Sequence, residues 1–183
     1  LAAGAKAMSK HQVIVKQLLS IENLGSMTVL CSDKTGTLTE GVIKLHETTD
    51  VMGQPSERVM QFAYYNAALQ TGFANPIDRA IRDHKTFDIS DVKKLDEIPY
   101  DFIRKRLSVR IERGGKRTLV TKGALAHILE CCVRAELASG EIVPLDSLKS
   151  TIDRHFEDMS REGFRVLGLA RSEEHTSELQ SHS

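Results

Sequence analysis

No stretch of the 183-residue sequence stays apolar for the roughly 18 residues that a bilayer-crossing helix needs, which excludes a membrane span within it. No secretory leader is visible either, and the first residue is Leu1, not methionine. Net charge is missing: 25 Lys and Arg stand against 25 Asp and Glu, so nothing points to a nucleic acid or an anionic membrane surface as partner. The three cysteines, Cys31, Cys131 and Cys132, are too few for a disulfide framework and suggest a reducing compartment. Cys131-Cys132 reads as buried helix packing, because no metal-ligand spacing surrounds it, and the seven histidines show no such spacing. Internal repeats and low-complexity segments are absent. What is there, 40% hydrophobic and 27% charged residues, is the composition of a globular protein of one domain, or one domain plus part of another.

The most informative stretch is Cys31-Ser32-Asp33-Lys34-Thr35-Gly36-Thr37-Leu38-Thr39. A short apolar run, Met27 to Cys31, reads as a buried strand bounded by turn residues. Asp33 then stands at the strand's carboxyl end, where open α/β sheets place their ligand crevices. Gly36 permits close backbone approach, Thr35 and Thr37 offer N–H and O–H donors, and Asp33 can act as a nucleophile or a Mg²⁺ ligand. The plainer alternative is an ordinary strand-to-loop aspartate.

Residues 1–27 read as a lead-in, with a helical pattern over 5–24. Residues 28–41 hold the strand and the hydroxyl-rich turn. From Val42 a separate unit begins, with a strand over Val42 to Thr48. Ser56 can cap a helix running to about Leu69, and Pro76 fits the first turn of the next helix. Strands are expected over Val92 to Ile98, Arg106 to Glu112 and Arg117 to Thr121, the last two joined at Gly114-Gly115. Leu107, Val109 and Ile111 form one face; Ser108, Arg110 and Glu112 form the other, expected to be solvated. Lys122-Gly123-Ala124 follows as a turn, then a helix bearing Leu125, Ile128, Leu129 and Cys132. A helix over Leu148 to Arg161 stops at Gly163, and Phe164 to Ala170 is a last strand. These elements make an α+β fold, an antiparallel sheet with flanking helices. Residues 171–183 lack periodicity and resemble the translation of a sequencing-library adapter, or a natural disordered tail. In either case they are expected not to pack.

Several residues beyond the turn suit nucleotide chemistry. Tyr100, with Phe102 as rival, places a ring close to Arg104, Lys105 and Arg106; rings stack on bases and cations meet phosphates. A strand-end core ring beside a solvated charged face explains the same residues. Gly123, after Lys122, would allow close backbone approach, or simply make a strand-to-helix turn. Asp78 is at least a first-turn carboxylate favoured by the helix dipole, and Arg165 at least an outward strand charge.

Asp33-Lys34-Thr35-Gly36-Thr37 resembles the phosphorylation motif of the P-type ATPases, cation pumps that form an aspartyl-phosphate. The resemblance implies that Asp33 accepts the γ-phosphate of ATP, that Asp33 and Thr35 ligate Mg²⁺, and that Lys34 and Thr37 line the phosphoryl site. It implies an adenine stack at Tyr100 or Phe102, a contact from Asp78 to the adenine amino group, and a pocket bordered by Lys122 and Gly123. Lys105 and Arg165 would meet phosphates. Residues 28–41 would be the first strand and loop of an incomplete haloacid-dehalogenase-like phosphorylation domain, and residues 42–170 the nucleotide-binding domain. Residues 1–27 would connect to a membrane segment outside the sequence, with this portion facing the cytoplasm at the cell membrane. Phosphatases of the wider superfamily carry an aspartate where Thr35 stands; a threonine cannot serve as general acid or base near neutral pH, so an aspartyl-phosphate would persist. Neither a Gly-Asp-Gly-x-x-Asn-Asp segment nor a Thr-Gly-Glu motif is present. Glu57-Arg58-Val59, Asn66, Gln70-Thr71-Gly72 and Asn75-Pro76-Ile77-Asp78 are most similar to the magnesium-transporting members, with proton or calcium pumps as alternatives. An ATP-binding module without catalysis, or a phosphatase, are the readings of another class. Without neighbouring strands, residues 1–40 are expected to be poorly anchored.

Overall fold

The computed structural model describes residues 1–34, 41–72 and 75–173, and the chain divides into two units between Val42 and Ile43. In the first unit, helices α1 (Ala2–Lys10) and α2 (Leu19–Gly25) replace the single helical stretch expected over 5–24. Gln12, at φ 63°, explains the break, since left-handed backbone cannot continue an α-helix. Residues 28–32, predicted as a strand, form no ladder among the described residues, and Val29 and Leu30 are 75% and 74% exposed. The physical reason is the one the sequence anticipates: an apolar strand is stabilised by partner strands and covering helices, and none of the described residues of this unit supplies them.

The second unit is built on a four-stranded antiparallel sheet in the order β1-β2-β3-β6, from β1 (Val92–Asp101), β2 (Arg106–Arg113), β3 (Lys116–Ala124) and β6 (Leu167–Glu173). Helix α3 (Glu57–Leu69) starts at Ser56, whose hydroxyl accepts from the Val59 N–H at 3.4 Å. Helix α4 (Pro76–His84) starts with Asn75 capping the Ile77 N–H at 2.9 Å. The β2–β3 hairpin closes on Gly114 and Gly115, at φ 57° and 76°, a pair of left-handed residues that a two-residue turn of this twist requires. The strand expected over Val42 to Thr48 does not form; nearby backbone pairing is a single bridge, Thr49 to Pro55.

Leu107, Val109 and Ile111 face α3 and α4, where they meet Met60, Tyr65, Ile81 and Val120 in the main core. The opposite face is not simply solvated as predicted. Ser108 is 7% exposed, and its hydroxyl pairs with that of Thr121 across the strands at 2.8 Å. Helix α5 (Leu125–Leu129) packs on β3 and β6, with Ile128 against Gly168, and excludes water there.

Three strands run further than the sequence suggests, β1 to Asp101 among them. β3 continues through Lys122-Gly123-Ala124, predicted as a turn, because Leu169, Gly168 and Leu167 of β6 offer those three residues a ladder. β6 in turn continues through Arg171, Ser172 and Glu173, in the segment expected not to pack, since backbone pairing with Val120, Leu119 and Thr118 needs no apolar periodicity. Arg171 bonds Glu136 at 2.9 Å and lies over the Phe62 ring at 5.7 Å. A small hairpin, β4 (Arg134–Glu136) and β5 (Ile142–Pro144), packs with helix α6 (Lys149–Arg161) around Ala135, Leu145 and Ile152. Cys131 and Cys132 lie past the end of α5 and are exposed and half-buried; they are not packed inside a helix as expected, because α5 ends at Leu129. Burial pushes the Cys132 thiol up to about 11.

Candidate functional site

The site grows from one buried ion pair. Asp78 is in the first turn of α4, and Lys122 is on the α3-facing side of β3. Their side chains are 4% and 10% exposed, and the Lys122 ammonium donates to Asp78 Oδ1. Gln70, at the C-terminal cap of α3, donates its amide to Asp78 Oδ2. The carboxylate is thus held by donors from a helix end and from a strand. Burial pulls Lys122 below the usual lysine range, against the opposing pull of Asp78. One helical turn earlier, Asn66 is fully buried; its amide donates to the Val120 carbonyl at 2.9 Å, and its Oδ1 has no hydrogen-bond partner among the described residues.

A second polar group fastens the α3–α4 connection to edge strand β1. Glu97 Oε2 accepts from the Thr71 N–H at 2.9 Å, from the Thr71 hydroxyl at 2.8 Å and from Lys94. Burial raises the Glu97 carboxyl, but Lys94 and Thr71 outweigh it and hold the group below the usual glutamate range. Beside this group an open cleft of about 550 Å³ runs along Thr71, Gly72, Leu95 and Pro99. Pro99 is tolerated because β1 is an edge strand and its register with β2 shifts between Ile98 and Asp101. The same irregularity presents Tyr100, 48% exposed, edge-on to Phe102, 85% exposed, with centroids 5.3 Å apart.

The remaining expected residues are distributed as follows. Lys105 is exposed at φ 48°, closing a turn in which Asp101 Oδ1 accepts from the Ile103 and Arg104 N–H groups. Gly123 is buried opposite Arg106; a Cβ there would stand 2.4 Å from the Lys105 carbonyl oxygen. The close approach foreseen for Gly123 is therefore made by the chain's own β1–β2 turn. Arg165 is exposed just before β6. Asp33 and Lys34 lie in the first unit and are exposed, while Thr35 and Thr37 lie outside the described residues. Among the described residues no group of three or more His, Cys, Asp or Glu side chains could hold a metal ion, and no helix is long and apolar enough to cross a membrane. In the sequence, Gln70-Thr71-Gly72 stands out only for its likeness to the magnesium-transporting members, and Glu97 does not stand out. The one available signal was a glutamate in a strand two residues before a proline, which is too common to single out.

Residues 20–183 match the family model described as P-type ATPase, cytoplasmic domain N. The chain is 44% identical over 177 residues to the magnesium-transporting ATPase, P-type 1, of Escherichia coli K12, covering 93% of this chain and 20% of that protein. It is 42% identical over 177 residues to the magnesium-transporting ATPase, P-type 1, of Salmonella typhimurium strain 14028s, with the same coverage. Plasma membrane ATPase 1 of Saccharomyces cerevisiae is 30% identical over 178 residues, covering 93% of this chain and 19% of that protein. The chain spans about a fifth of the length of these relatives.

Proposed function

The chain belongs to the P-type ATPase family, matching its cytoplasmic domain N, and from that premise we propose that Ile43 to Glu173 bind ATP for a magnesium-transporting pump. The observation that carries this reading is the buried Asp78–Lys122 pair on the α3/α4 side of the sheet. A lysine 10% exposed and held by one carboxylate is a costly arrangement for a fold to keep. It becomes useful where a polar ligand approaches, because each partner can turn part of its hydrogen-bonding capacity outward. Asp78 accepts only, which suits the amino group of adenine. Lys122, bonded to Asp78, would border the base, and Gly123 would act by letting the β1–β2 turn lie against β3. Tyr100, with Phe102 against its edge, offers an exposed aromatic face for the base. Lys105 and Arg165, both exposed, would neutralise phosphate charge.

In the whole pump, Asp33 accepts the γ-phosphoryl group: its carboxylate oxygen attacks phosphorus, and the bond to the β-phosphate oxygen breaks to release ADP. Lys34 and Thr37 accompany the phosphoryl group. Mg²⁺ would be held by Asp33 and Thr35 and would offset the charge on the transferring group. The transported cation is Mg²⁺, and this portion faces the cytoplasm at the cell membrane.

The test is a titration of the 183-residue chain with ATP, followed by displacement of a fluorescent nucleotide. Saturable binding is expected, weakened about tenfold (~1.4 kcal/mol) in Tyr100→Ala, whose exposed ring can be removed without touching the core. Absence of saturable binding up to roughly 10 mM ATP, about −3 kcal/mol of affinity, sinks the reading. For the phosphoryl step, the full-length pump should take up acid-stable, hydroxylamine-sensitive label from γ-labelled ATP, and Asp33→Asn should not.

A further inference from the structure

We propose that Gln70 and Glu97 form a pair of hydrogen-bond acceptors beside Gly72, a subsite that reads a two-donor group on the bound nucleotide. This rests on the proposal that the chain binds ATP. Three observations place it. First, the Glu97 side chain is only 9% exposed, yet its donors all fall on Oε2; Oε1 takes no hydrogen bond from a described residue. Second, Gln70 spends its amide N–H on Asp78, which leaves the carbonyl Oε1 as the end that can accept. Third, these two oxygens lie near one point. Glu97 Oε1 lies 3.8 Å, and Gln70 Oε1 3.9 Å, from the point where a Cβ on residue 72 would stand.

Gly72 itself gives the reason to see a seat there. Its φ is not in the left-handed region, so the backbone does not demand glycine, and an added Cβ would meet its neighbours only at ordinary contact distance. The missing side chain leaves space near both acceptors, where Gly72 and Glu97 line the 550 Å³ cleft. That volume is in the range of small-ligand sites. An acceptor-only pair of this kind is complementary to a group with two N–H or O–H donors. A nucleotide has two such groups, the exocyclic amine of adenine and the ribose cis-diol. A carboxylate accepting from ribose hydroxyls is a recurrent solution in nucleotide sites.

The experiment compares ATP, inosine triphosphate (no amine) and 2′,3′-dideoxy-ATP (no diol) on the wild-type chain and on Gly72→Ala. The alanine methyl fills the seat without straining the backbone. Wild type is expected to bind ATP about tenfold more tightly than one of the two analogues, and G72A to narrow that gap to about twofold, as expected for one hydrogen-bonded group lost. A gap that closes for inosine triphosphate assigns the pair to the amine; one that closes for the dideoxy compound assigns it to the ribose. Gln70→Met, which keeps the length and removes both the acceptor and the donor to Asp78, should narrow the same gap, provided its melting shows it folded. Equal binding of all three nucleotides by wild type, or unchanged discrimination in both variants, overturns the subsite and leaves ATP binding standing. If wild type binds none of the three, the ATP reading itself fails and the subsite with it.

Discussion

Gly123 and Asp78 give the clearest single-residue consequences. A Cβ on Gly123 would sit 2.4 Å from the Lys105 carbonyl oxygen and 2.7 Å from Arg106 Cβ, so β2 or its preceding turn must shift. Gly123→Ala is expected to lower unfolding stability by about 2 kcal/mol in urea titrations, an overpacking effect. An unchanged midpoint would mean that the turn is not held against β3. Asp78→Asn leaves the Lys122 ammonium buried without its counter-charge, and the expected loss is about 3 kcal/mol near neutral pH. The pH dependence follows from Lys122. Its folded value is below the usual 10.5, so between that value and 10.5 the unfolded chain holds more protons, and stability rises with pH across that window. Asp78 is what keeps the folded value up. In Asp78→Asn the rise should therefore begin at lower pH than in wild type, and identical pH profiles would contradict the assignment.

Among the elements, α3 and the β1 edge show what was legible in the sequence and what was not. The starts of α3 and α4 could be read from Ser56 and Pro76, because such signals act over three or four residues. The β2–β3 hairpin could be read from Gly114-Gly115 for the same reason. Strand extent could not, since β3 and β6 lengthen each other through a partner about fifty positions away. The Glu97–Thr71–Lys94 group was likewise invisible, joining residues 26 apart through a fold-made contact. This group makes a prediction at the scale of the α3–α4 connection. The Glu97 carboxyl is held below its ordinary 4.5 in the folded chain, so its contribution is complete above 4.5 and disappears as pH falls through the lower folded value. Glu97→Gln should flatten the acid limb of the stability profile below pH 4.5 and loosen Thr71, seen as faster amide exchange there. Retention of the wild-type acid limb would show that another carboxylate carries it.

At the scale of the molecule, the two units differ in what each can stabilise alone. The second unit closes its sheet over a continuous core from Met60 to Val120, with its own helices covering both faces. The first holds Val29 and Leu30 in water, with no strand pairing among its described residues. The resemblance of Asp33 to Thr37 to a phosphorylation motif could be seen because it is carried by five adjacent residues, whereas the sheet that would hold them depends on strands that no described residue supplies. Hydrogen exchange on the 183-residue chain should therefore show little protection at 28–32 and strong protection at Val109 and Val120; slow exchange at 28–32 would contradict the exposed geometry. The far end of the chain sharpens the same argument. Arg171 to Glu173 complete β6, and Arg171 joins β6 to Glu136 and to the Phe62 ring on α3. A chain ending at Ala170 should be less stable than one ending at Glu173, by about 2 kcal/mol, for a partly buried ion pair, a cation–π contact and the lost ladder bonds together. Equal stability of the two truncations in urea would show that β6 ends, energetically, at Ala170.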